Sequence, residues 1–327
     1  MAEQYVYAVT RIHYAEQSLL SEQEMEQLIS APSVEEVMRI LDDKGWGAPD
    51  LPLEDPDTLV AVETEKTWGL VQELAGDVAP FNVFRYANDF HNLKAAIKLA
   101  YTANEEEDKE HYFQPFGTIE LEKIIKAANE HDFSSLPEPM ASAGREAYEV
   151  LAHTGNGQLC DMVLDRAALV AIYDAGTKSG SEVLTRYATL TVDAANIKAA
   201  VRCSLMGKSR EFAEKAIAPT GTLDTGALLS AASSDSLDAL YSYLSFTSYA
   251  SAVPELQKSL AAFERWCDNQ MMELIKPQRY NYFSIEPLAA FILGRENEIR
   301  MVRLILSAKI NHLSEEVLRE RLRITYV

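Results

Sequence analysis

The sequence predicts an all-α protein made of three similar helical units, and three observations carry that prediction. Apolar residues recur at helical steps: Phe90, Leu93, Ile97 and Tyr101 form one stripe, and Ile197, Val201 and Leu205 a second. Ile299, Val302, Leu306 and Ile310 form a third. Each stripe overlaps a related polar cassette. The copies are Asp89-Phe90-His91-Asn92-Leu93-Lys94, Asp193-Ala194-Ala195-Asn196-Ile197-Lys198 and a degraded Arg295-Glu296-Asn297-Glu298-Ile299-Arg300. With Asn92, Asn196 and Glu298 taken as equivalent, the steps are 104 and 102 residues, so three periods nearly fill the 327 residues. Finally, the two-residue alternation of half-buried strands is nearly absent. A tripled unit points to a pseudo-symmetric body shaped around a partner more than to one asymmetric catalytic cleft.

Two further markers keep the period. Glu63, Asp161 and Glu264 each sit four positions before Thr67, Asp165 or Asp268 in helix-like surroundings, at steps of 98 and 103. Gly117-Thr118-Ile119 and Gly221-Thr222-Leu223, 104 apart, each open a helical pattern. Ser21 before Glu22-Gln23-Glu24-Met25 and Ser314 before Glu315-Glu316-Val317 are read as relatives of them. In all four the hydroxyl is expected to accept from free N–H groups of a first helical turn. Along the chain, Pro49 to Pro56, Pro137-Glu138-Pro139 and Gly155-Asn156-Gly157 punctuate the helices. Asn104-Glu105-Glu106-Glu107-Asp108 reads as a solvated acidic loop, and the last helix is expected to run from Ser314 through Arg323. No stretch reads as a flexible linker. The expected organisation is one domain over 1–327, with internal repeats at about 1–112, 113–216 and 217–327 by that spacing.

Composition narrows the function. No apolar run approaches the ~20 residues of a membrane-spanning helix; the best, Pro287 to Leu293, is far shorter. The opening Met1-Ala2-Glu3-Gln4-Tyr5 lacks the basic and apolar stretches of a signal peptide. Cys160, Cys203 and Cys267 are odd in number and far apart, which fits reduced cytosolic thiols. A net charge of −20 opposes binding to nucleic acid, which needs clustered cations, and to anionic lipid. The charge is uneven: Arg295 to Val327 holds seven Lys/Arg and five Asp/Glu, leaving −22 on the first 294 residues. That asymmetry fits either solubility or docking.

Motifs that carry chemistry fail one by one. His13, His91, His111, His131, His153 and His312 each lack a second histidine three or four residues away, so none forms a helical metal pair. Gly207-Lys208-Ser209 resembles the end of a phosphate loop, but Arg202 stands where the leading glycine belongs. Asp161 and Asp165 share a helical face, yet no Glu is followed three residues on by His, as carboxylate-bridged metal sites require. The sequence therefore gives no catalytic residue, no cofactor and no metal ligand.

The cassette itself has two faces. Asp89 shares one with Asn92, and Asp193 with Asn196, while Lys94 and Lys198 point elsewhere. The preferred role for the Asp and Asn pairs is a half-buried joint between one repeat's helix and its neighbour. The other role is a polar contact presented three times to a central partner. Candidate contact residues are Asp89, Asn92, Lys94, Asp193, Asn196, Lys198, Glu298, Arg300 and Arg303.

Several segments resemble the C subunit of V-type ATP synthases, a family that includes the d subunit of the vacuolar ATPase. They are Tyr5 to Ile12, Asn88 to Lys94, Val192 to Lys198, Pro287 to Leu293, Glu298 to Arg303 and Leu318 to Leu322. The resemblance covers essentially the full chain; the third repeat departs from it with Arg295 and Glu298 in place of the acid and amide. It implies a funnel-shaped body of three helical units and a non-catalytic rotor role. The implied partners are the central-shaft subunits and the membrane proteolipid ring, contacted from the cytosolic side, with one copy per complex. An unrelated helical-repeat scaffold is the alternative, but its repeats would be roughly 30 to 50 residues. An all-helical carboxylate enzyme is the other competitor.

Overall fold

A computed structural model describes residues 2–48, 56–102, 110–234 and 236–327. Among them are sixteen α-helices and no β-strand. In chain order these are α1 (Ala2–Glu16), α2 (Glu22–Ser30), α3 (Val34–Asp43), α4 (Pro56–Ala75), α5 (Tyr86–Thr102) and α6 (Leu121–Glu130). Then follow α7 (Met140–Thr154), α8 (Gly157–Lys178), α9 (Glu182–Leu205), α10 (Arg210–Ala216) and α11 (Thr225–Ala232). The last are α12 (Asp238–Leu244), α13 (Val253–Lys258), α14 (Leu260–Ile275), α15 (Glu286–Ile310) and α16 (Glu315–Arg319). The loops expected at Pro49 to Pro56 and Asn104 to Asp108 lie outside the described residues, except that Pro56 opens α4.

Short-range chemistry sets many of the helix ends. Ser21 closes a capping box on α2: its Oγ accepts from Glu24 N, and the Glu24 carboxylate accepts from Ser21 N at 2.8 Å. Asn156 Oδ1 accepts from the N–H groups of Gln158 and Leu159 to start α8, and left-handed Gly155 ends α7. Ser314 caps α16 as expected, but that helix stops at Arg319 and does not reach Arg323. Arg323 instead pairs with Asp268, and Ile324 N donates to Asn269 Oδ1 at 3.0 Å. Those contacts hold the terminal segment against α14.

The described chain divides into two compact units. One comprises Met1–Val78, Ser181–Val183 and Pro254–Val327. Its core packs Leu28, Val37 and Leu41 of the early helices against Val302, Ile305 and Leu306 of α15. The apolar run Pro287 to Leu293, too short to cross a membrane, forms the first turns of α15 and is buried at every position. The other unit comprises Ala79–Gly180 and Leu184–Val253. Its core joins Leu93 and Ile97 of α5 with Ile124 of α6, Ala147 of α7 and Leu164 of α8. Each large apolar side chain among them contributes roughly 1.5–3 kcal/mol by burial.

The three cassette stripes behave alike. Their first members are buried, and each stripe ends in solvent, at Tyr101 (45% exposed), Leu205 (69%) and Ile310 (50%). α8 and α9 approach so closely that a Cβ on Gly176 would lie 2.3 Å from Ala188 Cβ and 2.7 Å from Leu184 O. Glycine is required here for closeness, although alanine is the better helix former. Gly176→Ala should therefore destabilise the protein by about 1–3 kcal/mol through overpacking. Thermal unfolding checks this, and a raised melting temperature would contradict it.

Candidate functional site

The cassette acids and amides are buried, and they bind backbone. Asp89 on α5 accepts from Thr118 N (2.7 Å), Thr118 Oγ1 (2.6 Å) and Ile119 N (3.2 Å). Asp193 on α9 accepts from Thr222 N (2.9 Å), the Thr222 hydroxyl and Tyr249 OH (2.9 Å). One turn on, Asn92 donates to Gln114 O (2.9 Å) and accepts from Gln114 N (2.7 Å). Asn196 makes the same two-way bond with Ala218, donating at 3.0 Å and accepting at 2.8 Å. An Asn side chain has the donor and acceptor of a peptide unit, so here it replaces a ladder partner for a non-helical segment.

The cassette and the Gly-Thr marker are thus two halves of one clasp. A Cβ on Gly117 would sit 2.5 Å from Asp89 Oδ1, and one on Gly221 2.3 Å from Asp193 Oδ1. Only glycine leaves space for the carboxylate to reach the threonine. This corrects the capping role expected for Thr118 and Thr222. Their hydroxyls donate to the buried carboxylates, and the helices begin later, at Leu121 and Thr225. Asp224 takes over the capping of α11. Burial raises the Asp89 carboxyl above the usual range; the Thr118 and Ile119 donors and nearby Arg85 pull the other way.

The third copy is built differently. Its amide-to-carbonyl bond comes from Asn297, which donates to Ile324 O at 3.0 Å, one position before the residue aligned from sequence. Glu298 instead accepts from Leu20 N at 3.0 Å and faces Arg295 Nη1 at 3.1 Å, without the alignment of a hydrogen bond. Arg295 also pairs with buried Glu63 and lies over the Trp46 ring, 4.6 Å from its centre. Burial pushes the Glu298 carboxyl up to about 7, against the pull of Arg295 and the Leu20 N–H.

The cations lie on the other face. Lys94 pairs with Asp165, and Lys98 with Asp161 (2.8 Å), both on α8. Arg300 pairs with Asp268 (3.1 Å) and Arg303 with Asp57 (2.8 Å). Arg319 pairs with Glu26 and Glu315. Much of the positive excess at the end of the chain is therefore neutralised by acids of its own unit. Lys198 lines a cleft in the other unit, together with Lys94.

Histidines bond locally, as His91 Nε2 does with Tyr112 O (3.1 Å) and His153 Nδ1 with Glu149 O (2.7 Å). The three thiols are free and buried, and burial raises that of Cys160 to about 11. Gly207-Lys208-Ser209 forms the turn into α10, which Ser209 caps. Among the described residues no three His, Cys, Asp or Glu side chains are grouped to hold a metal. What the arrangement does is hold helices and segments in one geometry.

A family model described as ATP synthase (C/AC39) subunit matches residues 8–321. The chain is 25% identical over 347 residues to the C subunit of the A-type ATP synthase of Methanocaldococcus jannaschii, covering 97% of this chain and 86% of the relative. It is 25% identical over 317 residues to the C subunit of the V-type sodium ATPase of Enterococcus hirae, covering 95% of each. The C subunit of the A-type ATP synthase of a Desulfurococcus species is 29% identical over 143 residues, 42% of this chain and 38% of the relative.

The joints and the surface pairs should respond differently to mutation. Asn196→Ala strands the backbone N–H and C=O of buried Ala218 and should cost about 1–3 kcal/mol, against about 0–1 for Lys94→Ala at its part-exposed ion pair. Urea unfolding of both variants tests the ranking, and equal costs would reject it. For Glu298, the folded state keeps a proton that the unfolded chain releases between pH 4.5 and about 7. Its contribution to stability therefore falls as pH rises through that window. Glu298→Gln should flatten that slope in urea midpoints taken across the window; an unchanged slope would refute the assignment.

Proposed function

The chain belongs to the ATP synthase (C/AC39) subunit family, and from that membership we propose that it is a non-catalytic connector of a rotary ATPase. It joins the central shaft to the membrane proteolipid ring, so that ATP turnover in other subunits and ion transport are coupled. The observation that carries this reading is the family match over residues 8–321, together with relatives matched over nearly their whole length. In this reading the three repeats, at about 1–112, 113–216 and 217–327 by the spacing of the cassettes, form a funnel around the foot of the shaft. One copy sits on the cytosolic side of the ring.

The clasps supply the physical support. A connector transmits torque only if it deforms less than the joints at its two ends. Close-packed helices compress little, and a segment bonded in both directions by buried Asp and Asn has few ways to shift. No helix among the described residues is long and apolar enough to cross a membrane. With a net charge of −20 the chain gains nothing from an anionic leaflet, so its seat on the ring is made by protein contacts.

The test is reconstitution of the rotary complex with and without this chain in sealed vesicles. Without it, ATP hydrolysis by the head should persist while ATP-driven ion transport is lost; adding the chain should restore transport. The isolated chain should hydrolyse no ATP. Transport that needs no connector, or ATP hydrolysis by the chain alone, would overturn the reading.

A further inference from the structure

The clasps use one face of the cassette helices and leave the other to be explained. That other face opens on a cleft of about 500 Å³ between α5, α8, α9 and α10. Lys94 of α5 and Lys198 of α9, the same position in two cassettes, both line it. Arg202 and Lys208 add two more cations, and Asp165, the one carboxylate among the described lining residues, pairs with Lys94. With Lys94 paired and Lys198 also engaged, Arg202 and Lys208 are the cations that the described rim offers, on a chain whose net charge is −20. The floor is apolar: Phe90, Ile172 and Phe212 lie in it, and Lys208 rests over the Phe212 ring at 4.9 Å. At the mouth Met206 is 61% exposed, a large apolar side chain left in water at the end of α9.

We propose that this cleft is a docking groove for an acidic amphipathic helix of a partner protein, seated with its apolar side chains on the floor and its carboxylates on the cationic rim. The proposal rests on the connector reading above and adds to it the surface and the chemistry of the partner. Charge complementarity selects the occupant. A rim of Lys and Arg over an apolar floor matches carboxylates beside Leu-like side chains on one helix face, the arrangement of helix-in-groove recognition. The volume takes a few side chains and not a whole helix, so the occupant lies along the groove with one face inserted. A phospholipid headgroup also offers negative charge. The remaining surface of this acidic chain, however, repels the anionic bilayer from which such a lipid would come.

The experiment places a photoreactive benzoylphenylalanine at Met206 of the full chain, within the intact rotary complex, and maps the cross-linked peptide by mass spectrometry. The expected product is a helical segment of a neighbouring protein of the complex with Asp or Glu on the linked face. A cross-link to phospholipid, to a second copy of this chain or to a basic segment would overturn the proposal. A second arm compares Arg202→Glu/Lys208→Glu with the exposed control Lys126→Glu, each competing with labelled wild-type chain for incorporation into the complex. The groove variant should incorporate at least about tenfold less well, since its rim now repels carboxylates. The control should match wild type, and circular dichroism checks that both variants fold. If the groove variant assembles normally beside a wild type that also assembles, the groove is wrong and the connector reading stands. If the wild type itself fails to join the ATPase complex, the connector reading fails as well.

Discussion

Everything in the second unit depends on how a non-helical segment is held against a helix. Segments 114–119 and 218–222 have backbone groups that no strand partner can satisfy, and each such group left buried and unpaired would cost about 1–3 kcal/mol. Asn92 and Asn196 act as substitute peptide units, while Asp89 and Asp193 collect the N–H and hydroxyl donors of the next turn. The clasp therefore fixes the segments that lead into α6 and α11. Only then can Ile124 of α6 meet Leu93 and Ile97 of α5 in the core. Glycines 117 and 221 are part of the same device, because a side chain there would occupy the carboxylate's position.

The third copy shows what happens when such a clasp is rebuilt around charge. Arg295, Glu63 and Glu298 lie together in a buried site with the Trp46 ring, and Glu298 reaches across to Leu20 N. Several polar atoms there, Glu298 Oε2 among them, lack a well-aligned partner. Buried ion pairs of this kind gain little net stability against desolvation, but removing one partner leaves an uncompensated buried charge. In this copy the Arg295–Glu63 pair links α15 to α4. The neutral amides of the other two copies do the corresponding work with hydrogen bonds alone.

Much of this was legible in the sequence, because helical periodicity and a 104-residue step need only one-dimensional order. The apolar stripes, the Ser21 and Ser314 caps and the family were all readable from residue identity and spacing. The two markers at the same step were visible too, but their pairing was not. Nothing in the local sequence says that Thr118 donates to Asp89, 29 residues away, when a threonine before a helix ordinarily caps it. The one-residue shift to Asn297 was hidden for a similar reason. Charge and amide were exchanged at adjacent positions, and only the contact with Ile324 O tells which residue inherits the joint. The end of α16 depends on Asp268 and Asn269, which no periodicity could have brought next to Arg323 and Ile324.

The cassette also explains how a strongly acidic chain can place lysines at the same position of two helices without weakening its fold. Its inward residues are fixed by the clasp, so the two lysines two positions beyond the asparagines must leave the helix on the other side. Charges on that side act over a short range, since the screening length at physiological salt is about 8 Å. The negative charge elsewhere on the chain therefore cancels little of the attraction felt by a carboxylate lying on the rim. In the proposed groove, steering over that distance sets the encounter and its sign, while affinity has to come from apolar burial on the floor between Phe90 and Phe212. In the proposed connector role, this division suits a part that must hold under load. Polar contacts at the rim reorganise at little cost, and the buried clasps behind them do not.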